Sequence, residues 1–137
     1  MTLTITPTRD LDACFALRRE VFMGEQGFSE AEEFDGKDDA AIHLLACERG
    51  EPVGTARVFV EEGRIGRICV VRRARGTGLG ARIVQAGMDL LRERGAARAV
   101  LDAQVRAMGF YEGLGFAAEG PEFDDGGVPH RRMTCPL

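Results

Sequence analysis

The chain carries no tryptophan, one tyrosine, one lysine and two histidines. Long apolar runs are missing as well. None approaches the roughly 20 residues that cross a bilayer, which excludes a membrane-spanning helix, and no membrane partner is expected. The opening Met1-Thr2-Leu3-Thr4-Ile5 lacks the basic segment and extended apolar core of a signal peptide. No export route is expected, and the cytoplasm is the expected location. Paired cysteines are absent too. Cys14, Cys47, Cys69 and Cys135 stand far apart, with no Cys-x-x-Cys and no histidine at ligand spacing. Neither a metal site nor a disulfide framework is expected. Three of the four lie in apolar runs, where a free cysteine behaves as a small buried hydrophobe. With a net charge of −4, the chain also lacks the basic excess that wholesale nucleic-acid binding needs.

What is present suits a folded domain. Hydrophobic residues make up 45% and charged residues 29% of the 137 positions, too apolar a balance for disorder. A single domain over residues 1–137 is expected, burying about two-thirds of its unfolded surface. Its charges are segregated. Residues 20–39 hold eight acids against one base, Lys37, whereas residues 64–82 hold six arginines and no acid. One end suits a cation and the other a polyanion.

Apolar spacing predicts a helix over residues 11–22 with Asp10 as N-cap, then a polar, glycine-punctuated loop with one helical turn. Strands are predicted at 42–48, 53–60 and 65–71, joined by the short turns Arg49-Gly50-Glu51 and Glu61-Glu62-Gly63. Such turns imply an antiparallel meander. Beyond it come a glycine-rich segment, a helix over 81–94 stopped by Gly95, and a short strand at 99–101. A short helix over 106–113, a strand at 116–118, a turn at 124–127 and a final strand at 128–135 complete the chain. The expected fold is α/β (α+β): one mixed, mostly antiparallel sheet flanked by helices.

Arg75-Gly76-Thr77-Gly78-Leu79-Gly80 falls where a strand hands over to a helix. Unpaired N–H groups, glycines that admit a ligand to the main chain, and the helix dipole together favour a phosphate. Three ligands could use such a loop. A nucleotide P-loop requires Lys-Ser/Thr after its last glycine, and Ala81-Arg82 stand there instead. A dinucleotide fingerprint is met by Gly76, Gly78 and Ala81, with Asp102 downstream. Its first glycine, however, should follow the strand directly, and Arg72-Arg73-Ala74-Arg75 intervene after a meander. The third ligand is the pyrophosphate of coenzyme A.

Ile68-Cys69-Val70 followed by Arg75-x-x-Gly78-x-Gly80 resembles the acyl-CoA motif of the GNAT superfamily of N-acetyltransferases. Gln104-x-x-Ala107-x-x-Phe110-Tyr111-Glu112-x-Leu114-Gly115-Phe116 resembles a second segment of that superfamily, with Gln104 in place of its usual asparagine. Arg18-x-x-Val21-Phe22-x-x-Glu25-Gln26, then Asp35, Asp38 and His43, then Asp125-Gly126-Gly127-Val128-Pro129-His130-x-x-Met133, resemble its ElaA/YjcF-like branch. The resemblance covers residues 9 to 133.

This resemblance implies an N-acetyltransferase that takes acetyl-CoA and passes the acetyl group to a primary amine of a small or peptidic acceptor, as a monomer or homodimer. It implies that Ile68, Cys69, Val70, the loop 75–80, Gln104 and Tyr111 bind the coenzyme. A main-chain N–H near Val70 is expected to polarise the thioester, and Tyr111 to be the general acid that protonates the departing thiolate. The base is open, because the 65–70 strand carries no acid. His43, Glu33 and His130 are its candidates, with Asp35 or a water chain beside them. A non-catalytic acyl-CoA-binding regulatory module of the same fold is the alternative, and a nucleotide-dependent oxidoreductase the third reading.

Overall fold

The computed structural model describes residues 2–137. Its centre is the predicted three-strand meander, β2 (Ile42–Glu48), β3 (Glu51–Phe59) and β4 (Arg64–Val70), extended by β1 (Leu3–Thr8) on the free edge of β2; the four pair antiparallel in the order β1-β2-β3-β4. The strand β1 was not foreseen. Leu3, Ile5 and Thr8 are half-buried and the residues between them exposed, a thin signal that long-range pairing with β2 completes. β5 (Arg98–Gln104) follows β4 in parallel. β8 (Val128–Pro136) runs antiparallel to β5 from Arg98–Pro136 to Gln104–His130, and the short β6 (Ala117–Ala118) and β7 (Phe123–Asp125) both pair with β8.

Six consecutive buried residues in β3, Val53 to Val58, show that this sheet is covered on both faces. The helices α1 (Leu11–Arg18) and α3 (Leu79–Glu93) both pack on β3 and β4. Asp10 caps α1, accepting the Ala13 N–H at 3.2 Å. The helix continues beyond Arg18 as predicted, but over Arg19–Glu25 it widens to a π-helix, with Gln26 N bonded to Val21 O at 3.1 Å. The predicted helical turn is α2 (Glu30–Glu33), closed by a Ser29/Glu32 capping box. The amphipathic α3 begins two residues before the predicted start, because Gly78 is its cap and Leu79 is already buried. α4 (Met108–Glu112) lies between β5 and β6.

Two irregularities position the site. Thr55 faces Cys69 but Arg57 faces Gly66, so β4 holds one extra residue, and Arg67 takes φ +48° within that bulge. On its other edge β4 pairs with β5 only at Arg64–Val100. Past that point the two parallel strands separate.

Candidate active site

The separation of β4 and β5 opens a wedge-shaped cavity of about 300 Å³. Ile65, Gly66 and Ile68 line it from β4; Leu101, Asp102 and Gln104 line it from β5. The β4 edge on this side has free main-chain groups. Val71 N–H bonds Val53 O of β3 at 3.0 Å, so by strand alternation Val70 N–H faces the opposite edge, toward the wedge. An extended ligand could take the place of the missing strand partner there. Cys69 turns the other way. Its thiol is buried, and burial pushes its pKa up to about 12, which leaves it a core residue.

Beyond the wedge, a turn at Arg72–Ala74 leads to the glycine loop and the N-terminus of α3. Gly76 and Gly78 have φ +80° and +81°, the left-handed region that glycine adopts without a steric cost. No atom stands within 4 Å of a Cβ built on either, so both backbones are open to an approaching anion. Thr77 and Arg75, expected beside that anion, have other partners. Thr77 Oγ1 donates to Ala74 O at 3.0 Å. Arg75 Nε donates to Val70 O at 2.9 Å, and its fork grips both Glu25 carboxylate oxygens at 2.9 Å. Arg75 therefore staples the loop to the end of the π-helix. The exposed Arg82, one turn into α3, has no partner among the described residues and is the free guanidinium beside the loop.

Three of the proposed proton-transfer groups line the wedge: Tyr111, Glu33 and His130. Tyr111 sits edge-on to Phe110 at 5.0 Å and to Phe116 at 6.1 Å. Burial pushes its phenol up to about 12, so it stays protonated and able to donate. His130 is held by Val128 O, 2.8 Å from Nδ1, and stacks on Phe123. Glu33 is buried, and burial raises its carboxyl above the usual range against the pull of Arg18 and Arg67. His43 is not brought to the wedge. It lies on β2, with β3 between it and β4, its Nε2 3.0 Å from Asp38 O and its ring edge-on to Phe15. Gln104 is at the wedge, but its amide is engaged: Nε2 donates to Gln26 Oε1 at 2.8 Å and Oε1 accepts from Arg106 at 2.9 Å.

A family model described as an acetyltransferase (GNAT) domain matches residues 16–137. The chain belongs to the GNAT acetyltransferase family. It is 33% identical over 126 residues to the uncharacterized N-acetyltransferase YjcF of Bacillus subtilis, covering 90% of each chain. An acyl-CoA N-acyltransferase from Pseudomonas aeruginosa superposes with TM-score 0.83 at 26% identity, over 98% of both chains. Escherichia coli ElaA superposes with TM-score 0.83 at 24% identity over the same shares, a likeness of fold. The 33% identity to YjcF supports the branch of the GNAT family to which the motifs point.

This GNAT chain also builds its site on ion pairs that the linear pattern did not give, two of them through Arg57 and Arg67, which it did not single out. Arg18, 1% exposed, binds Glu33 Oε2 through Nε at 2.7 Å and Asp38 Oδ1 through Nη1 at 2.6 Å. Arg57 forks onto Asp35 at 2.9 and 2.6 Å and reaches Asp38 at 3.0 Å. That fork holds the Asp35 carboxyl well below the usual carboxylate range. Arg67, on the bulge, is 3.1 Å from Glu33 Oε2 and donates to the Glu33 and Glu32 carbonyls. Arg57 and Arg67 thus fasten the acidic segment to the sheet, and Arg18 fastens it to the end of α1. One signal was legible. Arg18 falls in the apolar stripe of α1 beside Cys14, Leu17 and Val21, and a charge in such a stripe requires a buried partner.

Proposed function

We propose that this protein transfers an acyl group, acetyl in the first instance, from acyl-CoA to a primary amine of a small or peptidic acceptor by direct attack on the thioester. The observation that carries the reading is the junction of three features. An unpaired β4 edge runs along a wedge, a left-handed glycine loop opens α3 at the end of that strand, and a half-buried phenol lines the wedge wall.

In this mechanism the glycine loop and the positive end of α3 hold the pyrophosphate. The β4 edge pairs with the amide-bearing arm that follows it. Val70 N–H donates to the thioester oxygen as negative charge grows there; a single donor of this kind is worth about 10²–10³ in rate elsewhere. Tyr111 delivers its hydroxyl proton to the departing sulfur. Glu33 and His130 are the groups along the wedge able to take the proton of an arriving ammonium. Placing the two substrates along one wedge converts their encounter into an intramolecular step.

The test is release of coenzyme A thiol from acetyl-CoA in the presence of a broad panel of amines, alongside calorimetry with acetyl-CoA. Amine-dependent thiol release is the expected outcome. Tight acetyl-CoA binding with no release from any amine would identify a binding module of the same fold.

A further inference from the structure

The wedge does not end where β4 and β5 meet. A second cavity of about 570 Å³ continues from it toward Asp35, Arg57 and Phe59. Asp102, Glu32, Asp125 and His130 line both cavities, along with residues 65–67 of β4. They form the throat between a side that holds Tyr111, Gln104 and Arg106 and a side that holds Lys37, Arg57 and Phe59. On the acyl-transfer reading, the thioester and the amine must meet near such a throat.

His130 is the group there built to accept a proton. It sits on β8 opposite Gln104 of β5 and Phe123 of β7, with 8% of its surface exposed. A carbonyl can only accept, so the contact with Val128 O puts the proton of the neutral ring on Nδ1 and leaves the lone pair on Nε2. No group among the described residues hydrogen-bonds Nε2. Stacking on Phe123, at 5.9 Å and 25°, fixes the plane of the ring. Glu33 is bound differently. Arg18 and Arg67 converge on its Oε2, and its main-chain oxygen receives both guanidiniums again, at 3.2 and 3.0 Å. Protonating it would take the shared carboxylate from both guanidiniums, leaving Arg18 to Asp38 and Arg67 to Asp35 and loosening the wall, so Glu33 is an anchor of that wall. The other charges around His130 are Glu32 of α2, Arg67 of β4, Asp102 of β5 and Asp125 of β7, with Arg106 beyond Gln104.

We propose that His130 Nε2 is the proton acceptor for the incoming ammonium, and that Glu33 is a positioning residue. The assignment rests on the acyl-transfer reading above. The acceptor arrives as R-NH3+ and gives one proton to Nε2. Its freed lone pair forms the C–N bond as the C–S bond breaks. Tyr111 gives its proton to the sulfur, and the phenolate recovers the second proton that the nitrogen must lose. The imidazolium then releases its proton to solvent. The sum is ammonium plus thioester going to amide, thiol and one proton.

The test compares His130→Gln with the wild type on two acceptors across a pH range. One is an alkylamine, protonated at neutral pH as lysine is, with a value of about 10.4; the other is an arylamine that is already neutral there. His130→Gln is expected to lower kcat/KM for the alkylamine by about 10²–10⁴-fold. The arylamine should keep a rate near wild type, and the alkylamine deficit should narrow as pH rises and neutral amine becomes abundant. Acetyl-CoA affinity should not move. In His130→Ala, added imidazole should restore part of the alkylamine rate. Equal deficits for both amines at every pH, or no deficit, overturn the assignment while leaving the transferase reading in place. A wild-type chain that binds acetyl-CoA but turns over no amine overturns both.

Discussion

Removing Arg18 is the sharpest perturbation of the wall that faces the wedge. The side chain is 1% exposed and holds the buried carboxylates of Glu33 at 2.7 Å and Asp38 at 2.6 Å, plus the Glu33 carbonyl at 3.2 Å. Arg18→Met keeps much of the stem volume and deletes the charge. Breaking a buried pair from one side typically costs about 3–5 kcal/mol, because the uncompensated partner remains inside. Here Arg67 and Arg57 still reach Glu33 and Asp38, so the lower figure, about 3 kcal/mol, is expected. For a chain of this size that lowers Tm by about 10 °C. The loss should depend on pH. In the wild type Asp38 titrates below its usual range, since Arg18 and Arg57 outweigh the effect of burial. Its contribution is complete above its unfolded value, about 3.9, and disappears as pH falls through the lower native value. Without Arg18 both carboxyls are pushed upward, so the variant gains relative stability when they protonate. The gap between the two proteins therefore narrows from pH 7 toward pH 4. Urea melts of both proteins at several pH values measure it. A gap below about 1 kcal/mol, the scale of a surface pair, and constant with pH would refute the reasoning.

Three further outcomes follow from the site. Gly78→Val should weaken acetyl-CoA binding at least tenfold, about 1.4 kcal/mol, in a folded protein, because a β-branched residue cannot keep φ +81° at the α3 cap; unchanged calorimetric affinity would remove the loop from the site. Tyr111→Phe should leave acetyl-CoA affinity near wild type and reduce kcat by about 10²–10⁴-fold where chemistry is rate-limiting, and an unaltered kcat would return Tyr111 to packing between Phe110 and Phe116. Gly126→Ala should raise KM for the amine without moving coenzyme affinity, since a Cβ there would collide with the Phe28 ring that lines the wedge and strain the turn of the β7–β8 hairpin, where Gly126 has φ +63°; equal KM values would make that contact incidental.

The meander, α3 and the order of elements were legible because local periodicity carries them. Ile83, Val84, Met88 and Leu91 repeat with the turn of a helix and are buried together. β1 was not, since an edge strand half-buried on one side leaves only Leu3 and Ile5 as apolar markers. The widening of the first helix was illegible for another reason. Over seven residues, apolar spacing does not separate an α-turn from a π-turn, and yet that widened segment carries Phe22 and leads to Gln26, both at the wedge. The bulge that puts Arg67 in the left-handed region leaves no mark in the sequence at all, because it is set by the pairing of β4 with β3.

The charge pattern was legible as a fact but not as an arrangement. Read along the chain, an acidic segment and an arginine segment look like two poles, one for a cation and one for a polyanion. Folding brings the poles together: Arg75 and Arg72 meet Glu25, Arg73 stands 3.8 Å from Glu20, and Arg67 meets Glu33 and Asp35. Much of the opposed charge is thus spent on joining the π-helix and α2 to β4 and the glycine loop. A local motif names residue types, whereas the availability of each side chain depends on partners far along the chain, 50 residues away for Arg75 and Glu25 and 78 for Gln104 and Gln26. Arg75 matches the family's loop motif and is occupied; Arg82 lies outside the residues the motif quotes and is free. The same logic sorts the candidate bases. Glu33, His43 and His130 were equivalent as letters, and what distinguishes them is which atoms their neighbours have already taken: Asp38 O stands against His43 Nε2 on the far side of β3, two guanidiniums hold Glu33 Oε2, and His130 keeps Nε2 open at the throat.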